Sequence, residues 1–156
     1  MNNELGCIRI FITLILAMCL RILPLPENLA MLNPDWGLLV LIYWSLAVPE
    51  RVGIGYAWIF GVLIDVLMGR LFGQYALSYS LIIYLVLLWH RQLRQFPLAQ
   101  QSIFIFICLL ISQTLLFWFE NLKMPSQLHN TFWLPVLTGT ASWFIVYYVM
   151  RLVRRF

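Results

Sequence analysis

The chain is divided into six long apolar runs, and most of its charged residues lie between these runs or at their ends. Hydrophobic residues make up 63% of the sequence and charged residues 10%, and the mean hydropathy is +0.88. Soluble domains are about half apolar and about a quarter charged, so lipid must take the place of water around much of this chain. In lipid every backbone polar group needs a partner within the protein, and helices provide one for runs of this kind.

The apolar runs predict an all-α, polytopic membrane protein with six transmembrane helices. The expected helices lie at about residues 7–23, 34–48, 52–69, 75–89, 102–119 and 132–150, in a single transmembrane domain that covers residues 1–156. The first run is followed by Pro24 and Pro26 and not by a small-residue cleavage site, so we expect a retained helix and not a signal peptide. The second run is shorter than the roughly 20 residues of a typical span. It must therefore extend to Pro34 and Asp35 or be buried among the other helices.

Basic residues are distributed unevenly between the two expected sides of the membrane. With both termini inside, seven of them are cytoplasmic, namely Arg9, Arg51, Arg91, Arg94, Arg151, Arg154 and Arg155. Three are then on the outer side, namely Arg21, Arg70 and Lys123. Because cytoplasmic loops are enriched in Lys and Arg, this distribution predicts an N-in, C-in orientation.

The third predicted helix carries small residues at every fourth position, with one carboxylate among them. These positions are Gly53, Ala57, Gly61, Asp65, Gly69 and Gly73. They form a stripe on one side of a helix, and small residues let another helix approach closely. We expect the stripe to contact another helix of this chain or of a partner.

Asp65 lies close to the outer end of this helix, where the helix dipole disfavours an anion. It therefore needs a compensating donor, and Arg21 and Arg70 are the candidate ion-pair partners. A functional carboxylate that binds a partner or ligand inside the membrane is the alternative to a structural ion pair, and the two are compatible.

The sequence Asn33-Pro34-Asp35 is typical of a helix start. Asn33 can act as the N-cap, Pro34 suits the first helical position, and Asp35 lies where the dipole favours an anion. We expect Pro34 and Asp35 to fix the start of the second helix, next to the small-residue stripe.

Catalytic, metal and cofactor sites are not predicted. Cys7, Cys19 and Cys108 have neither metal-ligand nor redox spacing. No Ser-His-Asp or Cys-His set is arranged for nucleophilic catalysis, so we expect a protein that is not an enzyme. The net charge of +4 comes mainly from the ends of apolar runs and does not indicate nucleic-acid binding. An intramembrane protease would need a second membrane carboxylate, and Glu120 lies only at the boundary of a run.

Several segments resemble one family when they are taken in order. They are RILPLPEN at residues 21–28, LNPDW at 32–36, YW at 43–44, PERV at 49–52, GVLIDVLMG at 61–69, LFG at 71–73 and YVMRLVR at 148–154. This ordered set, with its spacings, resembles the MreD family of rod shape-determining proteins from Gram-negative rods. The resemblance covers nearly the whole chain.

The resemblance implies a role in cell shape. Proteins of this family are inner-membrane, multi-pass components of the elongasome, the machinery for lateral peptidoglycan synthesis. They associate with MreC, and through it with MreB and the synthases RodA and PBP2. Their fold is similar to the S subunits of energy-coupling-factor transporters, and no catalytic activity is attributed to them.

We therefore expect a non-catalytic scaffold that docks the single membrane helix of MreC. The interface and packing candidates are Gly61, Asp65, Gly69, Gly73, Pro34 and Asp35. The alternative is a membrane subunit that binds a small solute or a lipid intermediate through Asp65, Gln113 or Glu120. An enclosed polar pocket near the outer ends of the helices would favour that alternative.

Overall fold

The computed structural model describes residues 3–70, 73–123 and 130–155. These residues form seven α-helices and one 3₁₀ helix, and no β-strand occurs among them. The α-helices are α1 (Asn3–Ile22), α2 (Glu27–Ala30), α3 (Trp36–Ala47), α4 (Ile54–Leu67), α5 (Gln74–Gln95), α6 (Leu98–Lys123) and α7 (Leu134–Arg155), and the 3₁₀ helix is Asn130–Trp133. The prediction of an all-α protein is confirmed for this described part of the chain.

Three of the described helices, α1, α6 and α7, are long and apolar enough to cross a membrane. The apolar helices α3 and α4 are shorter, with 12 and 14 residues. Large apolar side chains on the outer surface are exposed, among them Phe11, Trp58, Ile103 and Ile145. Such a surface suits contact with lipid, so the protein is a membrane protein.

Helix α3 lies at the centre of the bundle. Its residues from Gly37 to Leu46 are all buried, and it contacts α1, α5 and α7. A helix of 12 residues is about 18 Å long, shorter than the roughly 30 Å hydrocarbon core. Of the two expectations for this short helix, burial among the others is the one observed.

Helix α5 continues beyond its predicted end near residue 89. His90, Arg91 and Arg94, which follow the predicted end, lie in its last turns. Arg94 Nη2 donates to the carbonyl oxygen of Ala47 at 3.0 Å, and Gln101 Nε2 donates to that of Leu93 at 2.8 Å. These bonds stabilise the polar turns.

Some of the other differences from the expected bounds occur next to prolines. Helix α6 begins at Leu98, directly after Pro97, and runs to Lys123. Phe132 lies in the 3₁₀ helix and not in the last α-helix. Pro135 lies in the first turn of α7, where its missing N–H has no intrahelical partner to lose. The short helix α2 lies between the first and second predicted helices, where no helix was predicted.

Basic side chains cluster at one end of the bundle. Arg9 Nη1 lies 3.5 Å from the carbonyl oxygen of Arg154, and Arg94 and Arg154 line the same depression. Arg51 and Arg154 line a second depression at this end. We call this the basic end, and the end that carries Arg21 the opposite end.

Candidate functional site

The turn between α4 and α5 begins with a Schellman motif. The N–H of Gly69 donates to the carbonyl oxygen of Val66 at 3.3 Å, and the N–H of Arg70 donates to that of Asp65 at 3.0 Å. This motif requires a left-handed residue just after the helix, and Gly69 has a φ of 61°. Gly73, immediately before α5, has a φ of 103°. Both glycines are therefore needed for the conformation of the turn.

The turn places the carboxylate of Asp65 at the N-terminus of α5. It accepts hydrogen bonds from the backbone N–H groups of Gly73 and Tyr75, each at 3.0 Å, and of Ala76 at 3.4 Å. The Asp65 side chain is completely buried. These N–H groups have no partner within α5, so Asp65 satisfies them and also meets the positive end of the helix dipole.

The predicted ion pair between Asp65 and Arg21 or Arg70 is not formed in the described structure. Arg70 forms its ion pair with Glu120 of α6, and Arg21 Nη2 donates to the hydroxyl of Tyr75 at 2.8 Å. The compensating donors that Asp65 needs are backbone N–H groups and not a cation. Asp65 thus has the compensating donors that its position requires, but they are not the arginines expected from the sequence.

The small-residue stripe is used mainly for contacts within the chain. A Cβ atom on Gly61 would lie 2.4 Å from the Cα atom of Ala76, so the α4 and α5 backbones touch there. Ala57 is also completely buried. Gly69 and Gly73 have open space around their Cα atoms and serve the turn, not helix packing. The stripe is therefore already occupied by α5 where it is most closely packed.

Asp35, and not Asn33, is the N-cap of α3. Its Oδ1 atom accepts from the backbone N–H of Leu38 at 3.3 Å and from the Tyr79 hydroxyl at 2.6 Å. The helix begins at Trp36, so Pro34 precedes the cap and is not the first helical residue. The bond from Tyr79 fixes the start of α3 against α5.

Two arginines lie against one aromatic ring at the opposite end. The guanidinium carbons of Arg21 and Arg70 are 5.7 and 5.6 Å from the centre of the Tyr75 ring, within range of cation–π attraction. Arg21 comes from α1, Tyr75 from α5, and Glu120, the partner of Arg70, from α6. This cluster joins three helices.

A polar cavity of about 80 Å³ lies beside this cluster. Arg21, Asp35, Gln113 and Glu120 line it, whereas Asp65 does not. Pockets for small molecules usually measure roughly 300–1,000 Å³. The cavity is at the place expected for the solute-binding alternative, but its size suits water molecules and not a solute.

Tyr75 and Tyr79 connect the sequence-predicted residues, although the sequence did not single them out. Both side chains are almost completely buried, with 1% and 0% exposure, and both donate or accept through their hydroxyl groups. Their spacing of four residues on α5 places them on one face, towards Arg21 and Asp35. A pair of tyrosines at this spacing at a polar helix end is the feature that could have indicated the network.

Helix α4 has an outer face that no described helix covers. Trp58, Ile59 and Val66 are 56%, 58% and 55% exposed, and Leu63 is also exposed. We call these four residues the outer face of α4. Ala57 is completely buried, Gly61 packs against the α5 backbone, and Asp65 accepts from the first turn of α5.

Two comparisons with known proteins found a match over most of the chain. The family model described as rod shape-determining protein MreD matches residues 3–153. A curated relative from Haemophilus influenzae (strain ATCC 51907 / DSM 11121 / KW20 / Rd), named rod shape-determining protein MreD, is 34% identical over 146 residues. That alignment covers 90% of this chain and 87% of the relative. No solved structure matches the chain, so the likeness to transporter S subunits stays a prediction. The chain belongs to the MreD family of rod shape-determining proteins.

Proposed function

We propose that this protein is a non-catalytic scaffold of the bacterial inner membrane that maintains rod shape by docking MreC. Through MreC it would be linked to MreB and to the peptidoglycan synthases RodA and PBP2. Membership of a shape-determining family, over nearly the whole chain, is the observation that carries the role. Docking changes synthase activity only if the bound partner favours one state of the synthase over another.

The proposed docking surface is the outer face of α4. Helix α4 has 14 residues, so it is about 21 Å long, whereas the hydrocarbon core is roughly 30 Å thick. Unlike α3, it exposes apolar side chains to lipid along one side. A short lipid-facing helix is a site of hydrophobic mismatch, and association with another helix is one way to relieve it.

The docking mechanism therefore differs from the one expected from the small-residue stripe. Gly61 is in contact with the α5 backbone and is not accessible to a partner. Larger side chains, Trp58, Ile59, Leu63 and Val66, would instead form the contact by van der Waals packing, which drives helix association in lipid.

The proposal includes six membrane crossings with the basic end in the cytoplasm. Arg9, Arg51, Arg94 and Arg154 share that end, whereas Arg21 and Arg70 lie at the other. A bundle with this charge distribution is favoured with its arginine-rich end inside. Helices α3 and α4 are shorter than the hydrocarbon core. They would cross the membrane where the bilayer is locally thinner or where neighbouring helices cover their ends.

Co-purification of MreC with variants of the outer face tests the proposal. Ile59→Trp and Val66→Trp keep the surface apolar but change its shape, so we expect the recovery of MreC to fall several-fold. Ile103→Trp, at an exposed position of α6, is the matched control and should leave recovery unchanged. Unchanged recovery with folded Ile59→Trp and Val66→Trp proteins would refute docking on α4 while leaving the family role intact.

A further inference from the structure

An apolar groove runs between α1 and α7. Its volume is about 390 Å³, and its floor contains Ala17, Val40 and Val146, which are almost completely buried. Leu16 and Val149 form opposite rims and are 57% and 47% exposed. The groove therefore opens sideways, towards the lipid.

The dimensions of the groove suit a thin occupant. A helix about 10 Å across would fill a volume of this size with only about one turn. An extended hydrocarbon chain is much narrower and can lie along the groove between the two rims. The apolar lining offers such a chain van der Waals contacts on several sides.

The basic end of the bundle meets one end of this groove. A depression of about 210 Å³ there is lined by Arg9, Arg51 and Arg154, with Glu50 as its acidic residue. Its formal charge is therefore positive. Thr13 lines the groove, and Trp44 lines the depression. Thr13 accepts a hydrogen bond from Trp44 Nε1 at 2.9 Å, so this pair lies between the groove and the depression.

An apolar channel that leads into a positively charged depression matches one class of membrane molecule. We infer that the α1–α7 groove and the basic depression together bind an anionic glycerophospholipid. One acyl chain lies in the groove, and the phosphate lies among Arg9, Arg51 and Arg154, where it gains charge-assisted hydrogen bonds. The groove rims and two of the three arginines are on α1 and α7, apart from the outer face of α4, so this site goes beyond the proposed docking of MreC.

Native mass spectrometry of the purified full-length chain tests this inference. The protein is presented in detergent micelles with equal amounts of phosphatidylglycerol and phosphatidylcholine. We expect one phosphatidylglycerol to be retained about tenfold more than phosphatidylcholine, because each arginine near a membrane surface adds attraction for anionic lipid. Equal retention of the two lipids would overturn the inference.

Two variants test the two halves of the site separately. Arg9→Gln combined with Arg154→Gln should lower phosphatidylglycerol retention about tenfold, whereas Arg91→Gln combined with Arg155→Gln removes the same charge from exposed positions outside the depression and should not. Val149→Trp fills the groove from its exposed rim and should also lower retention.

Each alternative to this lipid site gives a different result. An equal loss with both arginine pairs would indicate diffuse attraction and would contradict a built site. Unchanged retention in Val149→Trp would exclude the acyl chain from the groove. A photoreactive residue at position 149 that captures a protein helix in cells, and no lipid, would show that the groove has another occupant.

Discussion

Asp65 is stabilised by the backbone of α5, and this explains how a carboxylate is kept buried without a cation. We predict that Asp65→Ala lowers the free energy of unfolding by about 2–4 kcal/mol, since several buried N–H groups lose their acceptor. Asp65→Asn keeps one carbonyl oxygen as an acceptor and should cost less. Thermal unfolding in detergent measures both. An Asp65→Ala protein that is fully stable but does not maintain rod shape in cells would contradict a structural role and favour a functional carboxylate.

Gly61 and Gly55 provide a matched pair on the same helix. A Cβ atom at Gly61 would overlap the α5 backbone, whereas a Cβ at Gly55 meets no atom within 4 Å. We predict that Gly61→Ala destabilises the protein by about 1–3 kcal/mol, because α4 and α5 must separate. Gly55→Ala should be neutral or slightly stabilising, since alanine favours helix. Equal stability of the two variants would contradict the close contact.

The sequence predicted what type of interaction single residues make, but not which group each of them contacts. The acid needed a donor, and small residues at four-residue spacing indicated a close helix contact. The donors to Asp65 are set by Gly69 and Gly73. Their positive φ values turn the chain back, so that α5 begins beside Asp65. That conformation is a property of the turn, which the helical pattern does not contain.

Helix α3 is the element with the most distinct environment. Because its residues from Gly37 to Leu46 are buried on all sides, we predict that an apolar carbene reagent dissolved in the bilayer labels α3 much less than α4. Peptide mapping by mass spectrometry after photolysis gives the ratio. Labelling of α3 equal to that of α4 would show that lipid reaches the centre of the bundle.

The existence of the helices followed from the apolar runs, but several ends did not. Pro97 marked the boundary between α5 and α6, yet the run of His90, Arg91 and Arg94 suggested that α5 ends earlier. Arg94 donates to the carbonyl oxygen of Ala47, which is far away in the sequence, and so connects this polar segment to α3. Local hydropathy cannot report such a tertiary contact.

For the whole molecule, the distribution of arginines predicts which positions face the cytoplasm. In a chain with Cys7, Cys19 and Cys108 replaced by serine, cysteine at position 123 should react in intact cells with a maleimide that reaches only the outer side of the membrane. Cysteine at position 155 should react only after the membrane is permeabilised. Both positions are exposed. The opposite pattern would reverse the proposed orientation.

The arrangement of helices in the bundle was less accessible from the sequence than their helical character. Hydropathy indicated that the second run is short, but only the structure shows α3 at the centre and α4 at the edge, with its small-residue side occupied by α5. We therefore propose docking on the side of α4 that faces away from Gly61, and not on the small-residue stripe expected from the sequence.

In-cell photocrosslinking along α4 is the most direct test of docking on this face. A photoreactive residue is placed in turn at positions 59, 63 and 66 of the outer face, and at position 64, whose side chain is completely buried, as the internal control. Position 103 on α6 is the lipid-facing control. We predict that MreC is captured from positions 59, 63 and 66 and from neither control. Capture of MreC from position 103 but not from the outer face of α4, or of lipid alone from every exposed position, would contradict the account.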